Sequence, residues 1–140
     1  MMRLLFVFIL STFSLSVLAC PNFAGVYLCS DSQGGNYSST ITQTIVEGAT
    51  HYLNTTGEEQ ELFIADGQWR MIEDAEGDLK MQVVCGEKQL QINILGLINQ
   101  SEIKSQTLVS LDSRGNLIST TESTYAGQNL PTSTETCIKQ

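Results

Sequence analysis

Turn-forming clusters recur every eight to twelve residues along this chain, a spacing that suits short strands joined by tight connections. They read Ser32-Gln33-Gly34-Gly35, Glu47-Gly48, Thr56-Gly57, Asp66-Gly67, Glu76-Gly77, Gly86-Glu87, Asn99-Gln100 and Ser113-Arg114-Gly115-Asn116. Asp66-Gly67 is the strongest hairpin signal among them, because a two-residue type I′ turn needs positive φ at both central positions. The segments between are rich in β-branched and aromatic residues. They predict strands near 23–30, 38–46, 49–55, 60–65, 68–73, 79–85, 88–96, 102–112, 115–125 and 133–139.

Two neighbouring segments alternate with period two. In LKMQVVC, Leu79, Met81, Val83 and Cys85 point one way and Lys80 and Gln82 the other. In QLQINILG, Leu90, Ile92 and Ile94 face inward while Gln89, Gln91 and Asn93 face out. One buried and one wet face is the signature of an antiparallel sheet. Further on, Ile103, Val109, Leu111 and Leu117 share an inner face with Ser105, Thr107, Ser119 and Thr121. Those strands are either loosely buried or line a polar cavity. Short antiparallel strands can hide their edges in a closed barrel or in a two-sheet sandwich. The hairpin order, free of long crossovers, favours an all-β, antiparallel up-and-down barrel of about eight to ten strands.

The chain begins MMRLLFVFILSTFSLSVLA: one cation at Arg3, an apolar run shorter than the ~20 residues of a membrane span, and small residues at Val17-Leu18-Ala19. This reads as a secretory signal peptide over residues 1–19. The remaining single domain, residues 20–140, has room for one core and not two. Seven Lys and Arg, one of them Arg3, face fifteen Asp and Glu, so the exported chain is more acidic than the −8 of the whole sequence. That balance excludes nucleic acid and an anionic membrane surface as partners.

Export gives the cysteines their meaning. Cleavage after Ala19 makes Cys20 the first residue, an arrangement that resembles a bacterial lipobox, with Leu18 where a smaller residue is usual. Counting favours the other reading: Cys20, Cys29, Cys85 and Cys137 are an even set in an oxidising compartment and suit two disulfides. An extended segment would hold Cys20 and Cys29 roughly 30 Å apart, beyond disulfide reach. The preferred pairing is Cys20–Cys137 with Cys29–Cys85. The alternative, Cys29–Cys137 with Cys20–Cys85, follows if one strand is miscounted, because that swaps the ends of the barrel.

Asn22-Phe23-Ala24-Gly25-Val26-Tyr27 resembles the first strand of lipocalins and related calycin barrels, in which a glycine precedes by two residues an aromatic lying across the closed end. Here that pair is Gly25 and Tyr27. The family's later Thr-Asp-Tyr turn has no counterpart, and Lys139 matches its packed arginine by position only. The resemblance implies a small barrel that holds an apolar ligand. Tyr27-Leu28-Cys29 with a late cysteine, Cys137, is also similar to small periplasmic inhibitors of animal-type lysozyme, although their inhibitory loop is missing.

Chemistry is harder to find. His51 is the sole histidine, so neither a Ser-His-Asp triad nor a His-rich metal site is indicated. No Cys-x-x-Cys spacing suggests zinc or redox work. Asp74-Ala75-Glu76-Gly77-Asp78 lacks the order and distal Glu of a calcium loop and reads as a turn. Sequons at Asn36, Asn54 and Asn99 matter only in a eukaryotic source. No catalytic residue, cofactor or metal is assigned. The expected function is an exported, non-enzymatic barrel that holds a small apolar or amphiphilic molecule. Its contacts would come from Gly25, Tyr27, Trp69, Met81 and Ile92. The alternative is a protein-binding module of the periplasm or cell surface, such as a lysozyme or protease inhibitor or an envelope lipoprotein. That module would have a filled core and a working loop at 31–37 or 126–133. The location is secreted or periplasmic, or membrane-anchored if Cys20 carries lipid.

Overall fold

The computed structural model describes residues 20–31, 33–73 and 76–140. The signal peptide expected over residues 1–19 lies outside them, as do Asp74 and Ala75 of the acidic turn. Eleven antiparallel strands follow in chain order: β1 (Gly25–Ser30), β2 (Asn36–Val46), β3 (Ala49–Thr56), β4 (Glu59–Ala65), β5 (Trp69–Met71), β6 (Asp78–Cys85), β7 (Gln89–Ile98), β8 (Ser101–Leu111), β9 (Leu117–Tyr125), β10 (Gln128–Asn129) and β11 (Ser133–Lys139). Over the described residues the fold is all-β and meanders up and down, as the turn spacing predicts. The alternation in 79–96 becomes β6 and β7, with Val83 opposite Ile92 and Met81 opposite Ile94.

The hydrogen-bonded order is β4-β3-β2-β1-β11-β9-β8-β7-β6-β5, with β10 beside β9. The ladder is not closed, because its two edges, β4 and β5, do not pair with each other. They are nevertheless consecutive in the chain and joined by residues 66–68, so covalent connectivity brings the edges together at one end. There Gly67 N–H donates to Val83 O at 3.0 Å, and Gln82 Nε2 donates to Gly67 O at 2.8 Å. This corrects the expectation of a hairpin at Asp66-Gly67. Gly67 alone has positive φ, 75°, and the turn is drawn onto β6 instead of folding β5 back on β4. Two-residue turns with positive φ at both positions occur at Glu47-Gly48, Asn99-Gln100 and Ala126-Gly127.

The short β10 escaped the sequence pattern for a physical reason. Gln128-Asn129 pairs with Tyr125 and Thr124, and β11 then continues along β9 with its register shifted by one residue. Leu130-Pro131-Thr132 forms that break, where proline offers no N–H to the ladder.

Two meanders, β1–β4 and β5–β9, meet through β1 and β11. The register there comprises Tyr27 opposite Lys139 and Leu28 opposite Ile138. The next pair outward is Cys29 and Cys137, joined as a disulfide with Cα atoms 4.1 Å apart. The other bond is Cys20–Cys85. The preferred pairing, Cys20–Cys137 with Cys29–Cys85, is therefore overturned in favour of the alternative. Antiparallel pairing places Cys29 and Cys137 face to face, while Cys20, five residues before β1, reaches the end of β6. With its sulfur bonded to Cys85, Cys20 has none for a lipid. Two disulfides also place the folded chain in an oxidising environment.

Phe23, Tyr27, Cys29, Tyr52, Val83, Leu90, Leu117 and Cys137 form the buried cluster. Its large members gather at the end closed by the segment before β1. Tyr27 O–H donates to Phe23 O at 2.8 Å, Tyr52 O–H to Pro21 O at 2.7 Å, and Phe23 N–H to Gln43 Oε1 at 3.1 Å. Phe23 and Tyr52 pack with ring centroids 5.6 Å apart. Burying rings of this size contributes about 2–3 kcal/mol each, and every polar group that goes in with them has a partner. At the opposite end of β7, Gly96 allows close strand approach, since a Cβ there would lie 2.0 Å from Asp78 O.

The β7–β8 turn sets two side chains in the left-handed region, Asn99 at φ 49° and Gln100 at 63°. Glycine at the second position removes a steric cost that asparagine tolerates and glutamine does not. Gln100→Gly is expected to stabilise the fold by up to about 1 kcal/mol, read as a melting temperature a few degrees higher. An unchanged or lower value would contradict the strain.

Candidate functional site

The face of β5–β9 opposite the core carries an open cleft of about 580 Å³. Register builds it. Trp69 lies opposite Gln82, Gln82 opposite Asn93, Asn93 opposite Gln106 and Gln106 opposite Glu122. Five consecutive strands thus present one straight row. A parallel row carries Met71, Lys80, Leu95, Lys104 and Thr124. Asn129, Leu130 and Thr132, from the break before β11, form the far wall of the cleft.

The amides of this row are held in a chain. Gln82 is anchored on Gly67 O, Asn93 Nδ2 donates to Gln82 Oε1 at 3.1 Å, and Asn93 Oδ1 accepts from Gln91 Nε2 at 3.0 Å and Gln106 Nε2 at 3.4 Å. Trp69 is 40% exposed, with Lys80 Nζ 5.2 Å from its ring centre. Beside it the Asp66–Arg70 ion pair fixes the turn, with Nη2–Oδ2 at 2.6 Å. The hydrogen bonds from Arg70 hold the Asp66 carboxyl down at about 2.

The residues expected to contact a ligand do not assemble in one place. Tyr27 is fully buried and serves the core. Gly25 lies opposite Ile41, and its open side is covered by the Lys139 side chain, whose Cε would sit 3.4 Å from an added Cβ. Met81 and Ile92 share the inner face and pack half-buried against the cluster. Trp69 stands apart, on the outer face. Gln82, Gln91 and Asn93 carried a usable signal, as outward positions of a strict alternation. Their alignment with Trp69, Gln106 and Glu122 depends on register between strands, which one sequence does not display.

The inner face of β8, β9 and β11 is mixed: Val109, Leu117 and Cys137 join the core, and hydroxyls occupy much of the rest. Thr107 and Thr121 hydroxyls lie 2.8 Å apart, Ser123 Oγ donates to Ser105 Oγ at 2.9 Å, and Tyr37 O–H donates to Glu135. These strands are half-buried, and their hydroxyls satisfy one another across the ladder. Cys29, Glu135 and Cys137 cluster closely enough to hold a metal ion. However, the two sulfurs are joined to each other and Glu135 is engaged by Tyr37, so the cluster offers no thiolate. His51 lies opposite Ile64 and lines a second open cleft with Asp66 and Arg70. Asp66 there is committed to Arg70 through both of its oxygens, and no serine or cysteine joins them in that lining. No protein-family model matches this sequence, and a search of curated proteins finds no match.

Burial raises the hydroxyl of Tyr52 to about 12. Burial, the Glu135 hydrogen bond and the Glu135 and Asp31 charges raise Tyr37 to about 12; burial raises Tyr27 as well. Each folded-state value lies above the ordinary 10.0. The protonated phenols therefore stabilise the fold fully below pH 10, and the contribution is lost as pH climbs toward 12. Urea midpoints should stay level up to about pH 10 and fall between about 10 and 12. A flat profile across that window would show that the phenols are not shielded.

Proposed function

We propose that this chain is an exported, non-catalytic binding module whose ligand sits on the outer face of β5–β9. The observation that carries this reading is the 580 Å³ cleft itself, built on five strands, four of them paired on both sides, and ordered by a fixed amide chain. Rigid strands hold such a site more accurately than a loop does. The protein-binding alternative placed a working element at 126–133, and Asn129, Leu130 and Thr132 of that segment form one wall of the cleft. The two disulfides favour secretion or a periplasmic location, with the chain free of a Cys20 anchor.

The calycin-like reading, an apolar or amphiphilic ligand in the interior, draws support from a different observation. Met81, Ile92 and Ile94 are only half-buried; Ile92 and Ile94 lie opposite Thr107 and Ser105, and Met81 lies opposite Ile94. One experiment separates the two. Amide chemical shifts of residues 20–140, recorded against a library of small-molecule fragments that includes short fatty acids, should move at Trp69, Asn93, Gln106, Glu122 and Asn129. Movement confined to Met81, Ile92, Ile94 and Thr107 would transfer the function to the interior, and no movement anywhere would refute both.

A further inference from the structure

We infer that the outer cleft takes an uncharged glycan chain, laid along the row from Trp69 to Glu122. The inference rests on the cleft being the ligand site and adds the class of ligand. Sugars present two kinds of surface: apolar C–H faces and a rim of hydroxyls that both donate and accept. The row answers both. Trp69, at its edge, leaves two-fifths of its surface open, and Lys80 Nζ lies 5.2 Å from the ring centre, within cation–π range. An aromatic plane with part of its area in water is the natural seat for a C–H face.

Between Trp69 and Glu122 the row is Gln82, Asn93 and Gln106, side chains that carry donor and acceptor together and no charge; Asn93 and Gln106 line the cleft itself. Their hydrogen bonds run outward from the Gly67 carbonyl. Gln106 Nε2 donates to Asn93, a bond that does not use its Oε1, which can accept from a hydroxyl. Holding the amides in one orientation beforehand lowers the entropic cost of binding. Successive positions are spaced by the inter-strand distance of ~4.8 Å, so the row is about 19 Å long. That is comparable to a short oligosaccharide in extended form, one sugar to each strand or so, and too long for a single sugar.

Competing ligands fit less well. A polyanion meets Glu122 at the end of the row and an acidic protein around it, and Lys104 is already paired with Glu102 at 3.0 Å. A peptide that adds as a strand needs a free backbone edge; within this surface only β5 offers one, and a peptide paired there would run along β5 instead of across the row to Asn93, Gln106 and Glu122. A glycan needs side chains alone.

Trp69 is the sole tryptophan, so its emission reports directly on the site. The oxidised chain of residues 20–140 is titrated with cellotetraose and, separately, chitotetraose. At least one should shift Trp69 emission saturably, with matching amide shifts at Asn93, Gln106 and Glu122. Trp69→Ala should weaken binding about tenfold or more, and Gln106→Ala several-fold, read by amide shifts with circular dichroism unchanged. Both side chains are exposed, so neither change threatens the fold. If neither tetrasaccharide moves these signals while another fragment class does, the glycan inference fails and the cleft reading stands. Binding that survives both substitutions would also overturn it.

Discussion

The junction of β1 with β11 is the contact on which the rest of the molecule depends. Each meander is internally cohesive, because its consecutive strands are paired, over six to ten residues except at the short edge strand β5, which pairs over three. Between the meanders the register is short, and the Cys29–Cys137 bond sits directly beside it. In the chain-entropy model a bond closing a loop this long stabilises by about 4–5 kcal/mol, comparable to the lower range of a whole domain's stability. The second bond, Cys20–Cys85, fastens the plug before β1 to the end of β6, so both crosslinks span from one meander to the other.

That arrangement explains why so small a buried cluster suffices. Only eight apolar side chains are buried among the described residues, and much of the inner surface of β8, β9 and β11 is hydroxyl-bearing. A core of this kind contributes little hydrophobic driving force. Crosslinks, satisfied hydroxyl pairs and the anchored segment 20–24 make up the difference. The outer face of β5–β9 is then free to carry the open cleft, because nothing in the fold requires it to be covered.

Much of the architecture was legible in the sequence. Strand boundaries came within a few residues because alternation and turn residues are local signals, and Leu79–Cys85 and Gln89–Gly96 displayed their faces outright. What depended on contacts between distant strands was not legible. Asp66-Gly67 looks like a hairpin in isolation, yet its partner is Val83 on β6. The cysteine pairing turned on which end of β1 meets β11. Gln128-Asn129 is too short and too polar to read as a strand. Trp69 was noticed as a large aromatic, but the amides beside it are neighbours only through four successive registers.

The central claim is that Cys29–Cys137 holds the two meanders together at β1–β11. Amide hydrogen exchange on the Cys29→Ala/Cys137→Ala double variant tests it, with Cys20–Cys85 intact. Protection should collapse first at Val26–Leu28 and Ile138–Lys139 while β2–β3 and β6–β8 keep theirs, and the melting temperature should drop sharply. Protection at the junction equal to that of the parent chain would contradict the account.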